Sequence, residues 1–259
     1  MKKILLFLLI AAGFFDTFAQ EIQSPASMIT IPADRFWGVD PFDGIVYAKD
    51  NVLYKDWNTN RYQFTDFTLG ELTYVSILNP LKILLFYGNA NTVVFIDKYL
   101  NEINRIDFNQ IPLITNAHLV SPANDNAIWV FDNNTQQLVL LNSRTKKLIL
   151  KTQPIVGLPL YQYSNFNFCW LFTKEKVYTF NIYGSLVEER ANENFDCLQL
   201  FDEQFYVLSE NKIFIYSKDF KEKTALSLPE IKLKQFYVTD EILYIYDFPK
   251  LFGFELKSL

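Results

Sequence analysis

Few side chains in this sequence have the types and spacing that enzyme or metal sites require. The 259-residue chain contains one histidine, His118, and two cysteines, Cys169 and Cys197. One histidine cannot supply a histidine-rich metal site, and two isolated cysteines do not make a disulfide framework, so they are either bonded to each other or free. The sequence also lacks a Gly-x-Ser-x-Gly nucleophile elbow and a glycine-rich phosphate loop. We therefore expect no resident metal or cofactor, and we interpret His118 as a hydrogen-bonded core or channel residue.

Carboxylates are the remaining groups that could act in catalysis or bind a metal. Those near the strands that we place innermost are Asp34, Asp40, Glu71, Asp196 and Glu230. Their positions do not repeat from one structural unit to the next, whereas a metal or acid–base site needs such groups to converge. Carboxylates in polar connections are explained by turn formation and solvation. The sequence thus predicts no catalytic residue.

A repeated pattern of short strands organises the rest of the chain. In AIWVFDNNTQQLVLLNSRTKKLILKT, residues 127–152, apolar segments alternate with turns rich in Asn, Asp, Ser and Thr, as in β-hairpins. Five other segments show the same order. Aligning one strand from each unit gives spacings of 39, 45, 41, 36 and 37 residues, on Val46, Leu85, Val130, Leu171, Val207 and Tyr244. A period of about 40 residues with several strands per unit is typical of a β-propeller.

Each unit has one further strand before the aligned one, which we predict to line a central channel. These inner strands are predicted at Arg35–Val39, Leu72–Leu78, Ala117–Ser121, Leu160–Ser164, Leu198–Phe201 and Gln235–Thr239. The sixth unit lacks an outermost strand, which the extended segment Ser27–Ile31 can supply. The sequence therefore predicts an all-β fold, a single six-bladed β-propeller of four-stranded antiparallel blades, with the ring closed by an N-terminal strand in the last blade. Such closure covers strand edges that would otherwise promote aggregation.

The N-terminus has the pattern of a secretory signal peptide. Lys2 and Lys3 precede a nearly continuous apolar stretch that ends at Phe15, which is too short to span a bilayer comfortably. We divide the chain into a signal peptide, residues 1–19, and a β-propeller domain, residues 20–259. With 24 basic and 29 acidic residues in mixed order, the surface lacks the basic clusters that nucleic-acid binding requires.

The outer hairpin of the third unit resembles that of a known class of propellers. Leu141-Asn142-Ser143-Arg144-Thr145-Lys146-Lys147-Leu148 looks like the turn of quinoprotein-like and WD40-like envelope propellers, in which Asn or Asp precedes Thr-Gly and a strand. Here Lys146 stands in place of the turn glycine, and no Trp-Asp dipeptide is present. The resemblance implies a propeller similar in architecture to the scaffold subunit of the outer-membrane assembly machinery. The quinone-binding members of the class are enzymes, so the resemblance implies a fold rather than a function.

Aromatic residues occur in the connections on one face of the predicted ring. Four lie between the third and fourth strands of a unit and two lie between the first and second strands: Trp57, Tyr99, Tyr183, Phe220, Phe42 and Phe166. Strand pairing does not need aromatic side chains in turns, and such side chains dominate interface hot spots. We therefore predict these six as partner-binding residues. The competing interpretation is that each packs beneath its own blade.

These observations favour a non-catalytic protein that is periplasmic or associated with the outer membrane, with an extracellular location as an alternative. The expected role is a protein-interaction subunit of a secretion or assembly complex in a Gram-negative envelope. Its expected partner is an envelope or outer-membrane protein complex, with the chain peripheral to the membrane and not spanning it. The alternative is a ligand-binding, glycan-binding or hydrolytic propeller with its site at the channel mouth, where titratable groups would converge.

Overall fold

The structure is a computed structural model that describes residues 20–21, 24–124, 126–193, 195–218 and 220–256. The signal peptide predicted at residues 1–19 lies outside the described residues. Strands of the first three blades are β3 Arg35–Val39, β4 Ile45–Lys49, β5 Val52–Trp57, β6 Asn60–Phe64; β7 Tyr74–Ser76, β8 Ile83–Tyr87, β9 Thr92–Ile96, β10 Glu102–Asp107; and β11 Ala117–Pro122, β12 Ala127–Asp132, β13 Gln137–Asn142, β14 Leu148–Lys151. Short 3-10 helices cover Phe67–Leu69 and Phe108–Gln110.

The other three blades complete the ring. Their strands are β15 Pro159–Ser164, β16 Phe168–Thr173, β17 Lys176–Asn181, β18 Leu186–Ala191; β19 Cys197–Phe201, β20 Gln204–Ser209, β21 Lys212–Ser217, β22 Lys223–Ser227; and β23 Gln235–Val238, β24 Ile242–Asp247, β25 Lys250–Glu255 with β2 Ser27–Thr30. Inner strands of neighbouring blades contact one another, and β23 of blade 6 contacts β3 of blade 1. The predicted six-bladed propeller of four-stranded antiparallel blades is confirmed.

The predicted inner strands match the observed ones closely. All six are found, and their ends agree to within one residue except in blade 2, where β7 is limited to Tyr74–Ser76. The middle strands of blades 2 and 3 are continuous apolar runs because both of their faces are buried against neighbouring blades. Outer strands such as β18 are mostly exposed. The period-two pattern of buried and exposed residues is therefore lost in these middle strands.

The N-terminal segment Ser27–Thr30 lies beside the last strand of blade 6. Strand β2 pairs antiparallel with β25, and the pairing extends beyond the strand because Ala26 N donates to Gly253 O at 2.8 Å and Ile31 N donates to Pro249 O at 2.9 Å. Blade 6 thus contains strands from both ends of the described chain. Blade 5 has an additional two-residue strand, β1 Gln20–Glu21, parallel to β22.

Hydrogen bonds within the turn that carries the family resemblance explain how Lys146 can replace the glycine. Asn142 Oδ1 accepts hydrogen bonds from the amides of Arg144 and Thr145 at 3.0 and 2.9 Å, and Lys146 N donates to Asn142 O at 2.8 Å. Lys146 has φ +57°, the left-handed conformation that glycine adopts most easily. The hydrogen bonds of the asparagine hold a lysine in this conformation.

Side chains of the inner strands join neighbouring blades. Gln199 of β19 makes two hydrogen bonds to the backbone of Val238 in β23, at 2.7 and 2.8 Å. Tyr161 OH donates to Leu198 O at 2.9 Å, and His118 Nε2 donates to Pro159 O at 3.1 Å. His118 is therefore a hydrogen-bonded residue between blades 3 and 4, as interpreted from the sequence. Side-chain bonds to the backbone of a neighbouring blade fix the angle between blades, which sheet pairing alone does not determine.

Aromatic rings occupy the centre of the propeller. Trp37 and Tyr74 meet edge to face with centroids 6.0 Å apart, and the Arg35 guanidinium lies 4.1 Å from the Trp37 ring centroid. Each of these aromatic side chains keeps some exposed surface, yet desolvation within the ring raises the pKa of Tyr74 to about 12. The same effect raises the pKa of the Cys197 thiol to about 12, so this thiol stays protonated at neutral pH. Cys169 and Cys197 are both free.

Candidate functional site

Three connections on the face of the predicted aromatic surface have the same five-residue turn: Asp40–Gly44, Asp97–Asn101 and Asn181–Ser185. In each, Oδ1 of the first residue accepts hydrogen bonds from the amides of the third and fifth residues at 2.8–3.0 Å. The fourth residue has φ between +63° and +73°. The third residue is aromatic and points outward: Phe42, Tyr99 or Tyr183. An Asx side chain that binds its own backbone therefore holds each of these rings in place.

Phe220 does not belong to this surface, and the sequence prediction is wrong for it. Its turn starts at Ser217 instead of an Asx residue, and Phe220 itself takes the left-handed position, with φ +56°. Its ring is only 7% exposed and stacks on Phe205 with centroids 4.4 Å apart, while the guanidinium carbon of Arg190 lies 4.2 Å from its centroid. An aromatic ring on the third residue of such a turn is thus exposed, whereas the ring of Phe220, on the fourth residue, lies in the core.

This difference predicts unequal effects of truncation. We expect Phe220→Ala to lower the free energy of unfolding by about 3 kcal/mol, because truncation of a buried phenylalanine leaves a cavity. Tyr183→Ala is the matched control, since Tyr183 is 78% exposed and its truncation is expected to change stability by less than about 0.5 kcal/mol. Urea titration followed by tryptophan fluorescence measures both values. Equal stability of the two variants would place Phe220 outside the core.

Four aromatic side chains form one cluster where blades 1 and 2 meet. We call Phe42, Trp57, Tyr62 and Tyr99 the aromatic cluster. Trp57 is central, with ring centroids 6.0 Å from Phe42, 6.3 Å from Tyr62 and 5.9 Å from Tyr99, and Tyr62 lies 5.6 Å from Tyr99. Phe42 and Tyr99 are each 42% exposed. The sequence predicted three of these residues but placed Trp57 in a turn, whereas it is the last residue of β5.

Two lysine ammonium groups contact the cluster. Lys98 Nζ lies 4.9, 5.5 and 5.9 Å from the ring centroids of Tyr99, Trp57 and Phe42. Lys55 Nζ lies 4.8 Å from the Trp57 centroid and donates to Lys98 O at 3.1 Å. Cation–π contacts at these distances stabilise the rings and the ammonium groups together.

A buried ion pair lies beneath the cluster. The side chains of Lys55 and Asp40 are both 0% exposed, and Lys55 Nζ is 2.5 Å from Asp40 Oδ2. The other carboxylate oxygen of Asp40 accepts the amides of Phe42 and Gly44, each at 2.9 Å. Gly44 is required here because a Cβ at this position would overlap the Lys55 side chain. The ion pair therefore fixes both the Phe42 turn and the underside of Trp57, so the exposed rings lie on a rigid base.

The remaining two predicted residues lie apart from the cluster, on blade 4. Phe166 and Tyr183 are 51% and 78% exposed. Their turns are joined by a hydrogen bond from Ile182 N to Asn167 O at 3.1 Å. Blade 4 lies across the ring from blade 1, so the structure separates the predicted surface into the aromatic cluster and this blade 4 pair.

The opposite face also exposes apolar side chains, which the sequence analysis missed. Phe67, Val156 and Phe248 are 72%, 81% and 55% exposed, and all three lie in connections on that face. The missed signal is the Pro- and Gly-containing apolar segment 154–160, because apolar residues between Pro and Gly do not continue a buried strand. Exposed apolar residues on both faces mean that only the clustering of rings, and not exposure alone, distinguishes the aromatic cluster.

The carboxylates considered above do not converge. Asp40 pairs with Lys55, and Asp34 Oδ2 accepts the amide of Asp50 at 2.7 Å. Within the described ranges, no group of three or more His, Cys, Asp or Glu residues is placed to hold a metal ion. A shallow depression of about 410 Å³, lined by Phe201, Asp202 and Asp240, lies beside the turns that follow the inner strands of blades 5 and 6. No helix in the part of the chain that the structure describes is long and apolar enough to cross a membrane.

Comparison with known proteins gives matches in structure alone. No family model matches the chain, and no curated protein matches it in sequence. A streptogramin B lyase structure matches with TM-score 0.62 and 10% identity, over 90% of this chain and 88% of that one. BamB from Moraxella catarrhalis matches with TM-score 0.52 and 9% identity, over 90% and 92% of the two chains. The chain therefore has a β-propeller fold. The same architecture recurs in PorZ, a surface component of the type-IX secretion system of Porphyromonas gingivalis, with TM-score 0.52 and 13% identity over 84% of this chain and 31% of that one.

Proposed function

We propose that the chain is an exported, non-catalytic β-propeller that acts as a protein-interaction subunit of an envelope complex. The observation that carries this proposal is the aromatic cluster, in which exposed rings rest on a rigid, buried base. Ordered rings of this kind lose little conformational entropy when a partner covers them, and aromatic anchors dominate binding energy at protein interfaces. The partner contacts the aromatic cluster first, and the blade 4 pair provides a second contact across the same face.

Three observations support the export of the chain to the bacterial envelope. The first 19 residues have the pattern of a signal peptide, and the chain is similar in fold to BamB and PorZ. PorZ is described as a component of a secretion system at the bacterial surface. The streptogramin B lyase is an enzyme with a similar fold, so the fold does not decide between catalysis and binding. The separate engagement of Asp34 and Asp40 supports binding over catalysis.

The proposal predicts loss of the partner from a cluster variant. We expect the triple variant Phe42→Ser, Trp57→Ser and Tyr99→Ser to retain less than about one tenth of the envelope partner captured by the wild-type chain, since two or three hot-spot residues together supply several kcal/mol. The measurement is affinity capture of the tagged protein in mild detergent, quantified by mass spectrometry.

The matched control replaces exposed rings on the opposite face. Phe67→Ser and Phe248→Ser remove side chains that are 72% and 55% exposed and should leave capture unchanged. Circular dichroism and thermal unfolding show whether each variant is folded. Partner loss from the opposite-face variant, with retention by a folded cluster variant, would contradict the proposed surface.

A further inference from the structure

Blade 3 is the basic part of an acidic chain. Its residues 117–152 include four basic and two acidic residues, whereas the whole chain has a net charge of −5. The basic residues are Arg144, Lys146, Lys147 and Lys151. Of the two acids, Asp132 is 0% exposed and accepts the amides of Thr115 and Asn116, and Asp125 lies outside the described residues. Even with Asp125 counted, the exposed charge of this blade is positive.

Three of these cations lie in the turn that joins β13 to β14. Arg144, Lys146 and Lys147 are all exposed, whereas Ser143 before them is 1% exposed. The Ser143 hydroxyl accepts a hydrogen bond from Lys82 Nζ of blade 2 at 3.0 Å. The turn therefore projects its cations from a base that is hydrogen-bonded to the neighbouring blade.

The positive charge of this turn is not offset nearby. Among the described residues, no carboxylate forms an ion pair with Lys82 or with the three cations of the turn. The pKa of Lys82 is lowered, first because burial desolvates its ammonium and then because the Arg144 guanidinium repels it. Acidic residues on the same side of blade 2 lie beside basic ones, in the pairs Glu102–Arg105 and Asp97–Lys98.

Exposed aliphatic side chains flank the turn at two β-bulges. The pairing of β10 with β9 skips Ile103, and the pairing of β14 with β13 skips Ile149. These isoleucines are 52% and 51% exposed, and Leu148 is 37% exposed. A bulge re-aims a side chain out of the regular alternation of a strand. Blade 4 repeats the bulge at Val187, but the acidic Glu188 follows it, so the combination of apolar and basic residues ends there.

The apolar and basic side chains of blades 2 and 3 form one area. Asn104, which follows Ile103, donates from its side-chain amide to Ser143 O at 3.2 Å. Residues 148–149 continue directly from the turn. We call this area the basic rim, and its residues are Ile103, Arg144, Lys146, Lys147, Leu148 and Ile149.

The composition of the basic rim fits an anionic membrane surface better than a protein surface. Lysine is depleted at protein interfaces, and leucine is under-represented among their hot spots. Basic side chains attract anionic headgroups, and aliphatic side chains beside them enter the boundary between headgroups and acyl chains. Both kinds of side chain are exposed together on the basic rim.

We propose that the basic rim binds a membrane surface that carries anionic lipid headgroups. The three cations of the turn bind headgroup phosphates, and the three aliphatic side chains enter the headgroup region. The basic rim lies on blades 2 and 3, whereas the aromatic cluster lies where blades 1 and 2 meet. One chain can therefore contact the bilayer and a membrane protein together, and the inference does not depend on the proposed partner.

Vesicle flotation with the mature chain, residues 20–259, tests this proposal. The probes are vesicles of phosphatidylcholine alone and vesicles that contain about one third phosphatidylglycerol. We expect the partition coefficient to be about tenfold higher on the anionic vesicles, because each basic residue near the surface adds to the attraction. Binding should weaken as salt is raised, because salt screens this attraction.

Charge variants locate the surface that binds. Replacing the three cations of the turn together, as Arg144→Gln, Lys146→Gln and Lys147→Gln, should lower the partition coefficient on anionic vesicles about tenfold. The matched control makes the same change of net charge at three exposed lysines of blades 5 and 6, and should lower it less than about twofold. These lysines are Lys212, Lys232 and Lys234.

Aliphatic variants test insertion. Ile103→Ser and Ile149→Ser together should lower binding to the anionic vesicles about fivefold, because less apolar surface enters the headgroup region. The control Phe67→Ser and Phe248→Ser removes exposed rings from the opposite face and should leave vesicle binding unchanged. Circular dichroism and thermal unfolding show whether each variant is folded.

Three outcomes would overturn the inference. One is equal binding to neutral and anionic vesicles, which includes the absence of binding to both. Another is a loss of binding in the blade 5 and 6 control as large as that in the charge variant of the basic rim. The third is loss of the native partner from that charge variant while the wild-type chain binds no vesicles, which would assign the basic rim to an acidic protein. Each is separable from failure of the proposed function, because partner capture by the aromatic cluster is measured independently.

Discussion

The Lys55→Met variant is expected to unfold with a free energy about 4 kcal/mol lower than that of the wild-type chain. Methionine has about the same length as lysine but cannot neutralise Asp40, which would remain as an unpaired carboxylate at 0% exposure. Breaking a buried ion pair by removing one partner costs about 3–5 kcal/mol for this reason. The variant should also lose order in the Phe42 turn, because the same carboxylate binds the amides of Phe42 and Gly44. Urea unfolding measures the loss.

Two controls separate the buried charge from general effects of removing lysine. Lys218→Met removes a lysine from the exposed pair with Glu203, whose side chains are 54% and 76% exposed, and should change stability by less than about 0.5 kcal/mol. The double variant Asp40→Asn and Lys55→Met removes both charges and should recover part of the stability lost by Lys55→Met alone. A Lys55→Met variant as stable as Lys218→Met would show that the pair does not support the cluster.

Deletion of residues 24–32 is expected to destabilise the whole propeller and lower its melting temperature by about 10–20 °C. The deletion removes strand β2 and its backbone hydrogen bonds to β25, each worth about 1 kcal/mol. It also removes Ile31, which is 3% exposed and packs between blades 6 and 1. Together these losses amount to about 5 kcal/mol, and a domain of this size loses about 2–4 °C per kcal/mol. Differential scanning calorimetry gives the shift.

The two isoleucines of this segment provide a matched comparison. Ile29 is 42% exposed and Ile31 is 3% exposed. Ile31→Ala should cost about 2–4 kcal/mol, because it leaves a cavity, while Ile29→Ala should cost less than about 1 kcal/mol. An unchanged melting temperature of the deletion variant would show that the pairing of β2 with β25 in the wild-type chain does not contribute to the stability of the ring.

The repeated architecture could be predicted from sequence because it depends on local, periodic signals. Each blade needs a short apolar strand and a polar turn at regular intervals, so six weak signals support one another even though no single hairpin is decisive. The position of Ser27–Thr30 in blade 6 followed from counting strands, since one unit lacked an outer strand that an unassigned segment could supply. In blade 2 the inner strand was predicted too long, because residues 72–78 are apolar beyond the paired segment Tyr74–Ser76.

The candidate site was only partly predictable. The positions of Phe42 and Tyr99 in turns showed that their rings face outward, but the same rule failed for Phe220, whose exposure depends on its place within a single turn. That difference requires the backbone conformation, with φ +56° at Phe220. Tyr62 was missed because it lies in an outer strand, where an aromatic residue is unremarkable. The Asp40–Lys55 pair was missed because its members are 15 positions apart and their contact follows from the pairing of β4 with β5.

Site-specific photo-cross-linking tests whether a partner protein contacts the aromatic cluster. A photoreactive phenylalanine analogue at position 99, in the cells that make the protein, is expected to form a covalent adduct with one envelope protein. The same analogue at position 248, on the opposite face and also exposed, should form none. An adduct from position 248 with none from position 99 would contradict the assignment of the aromatic cluster as the partner-binding surface.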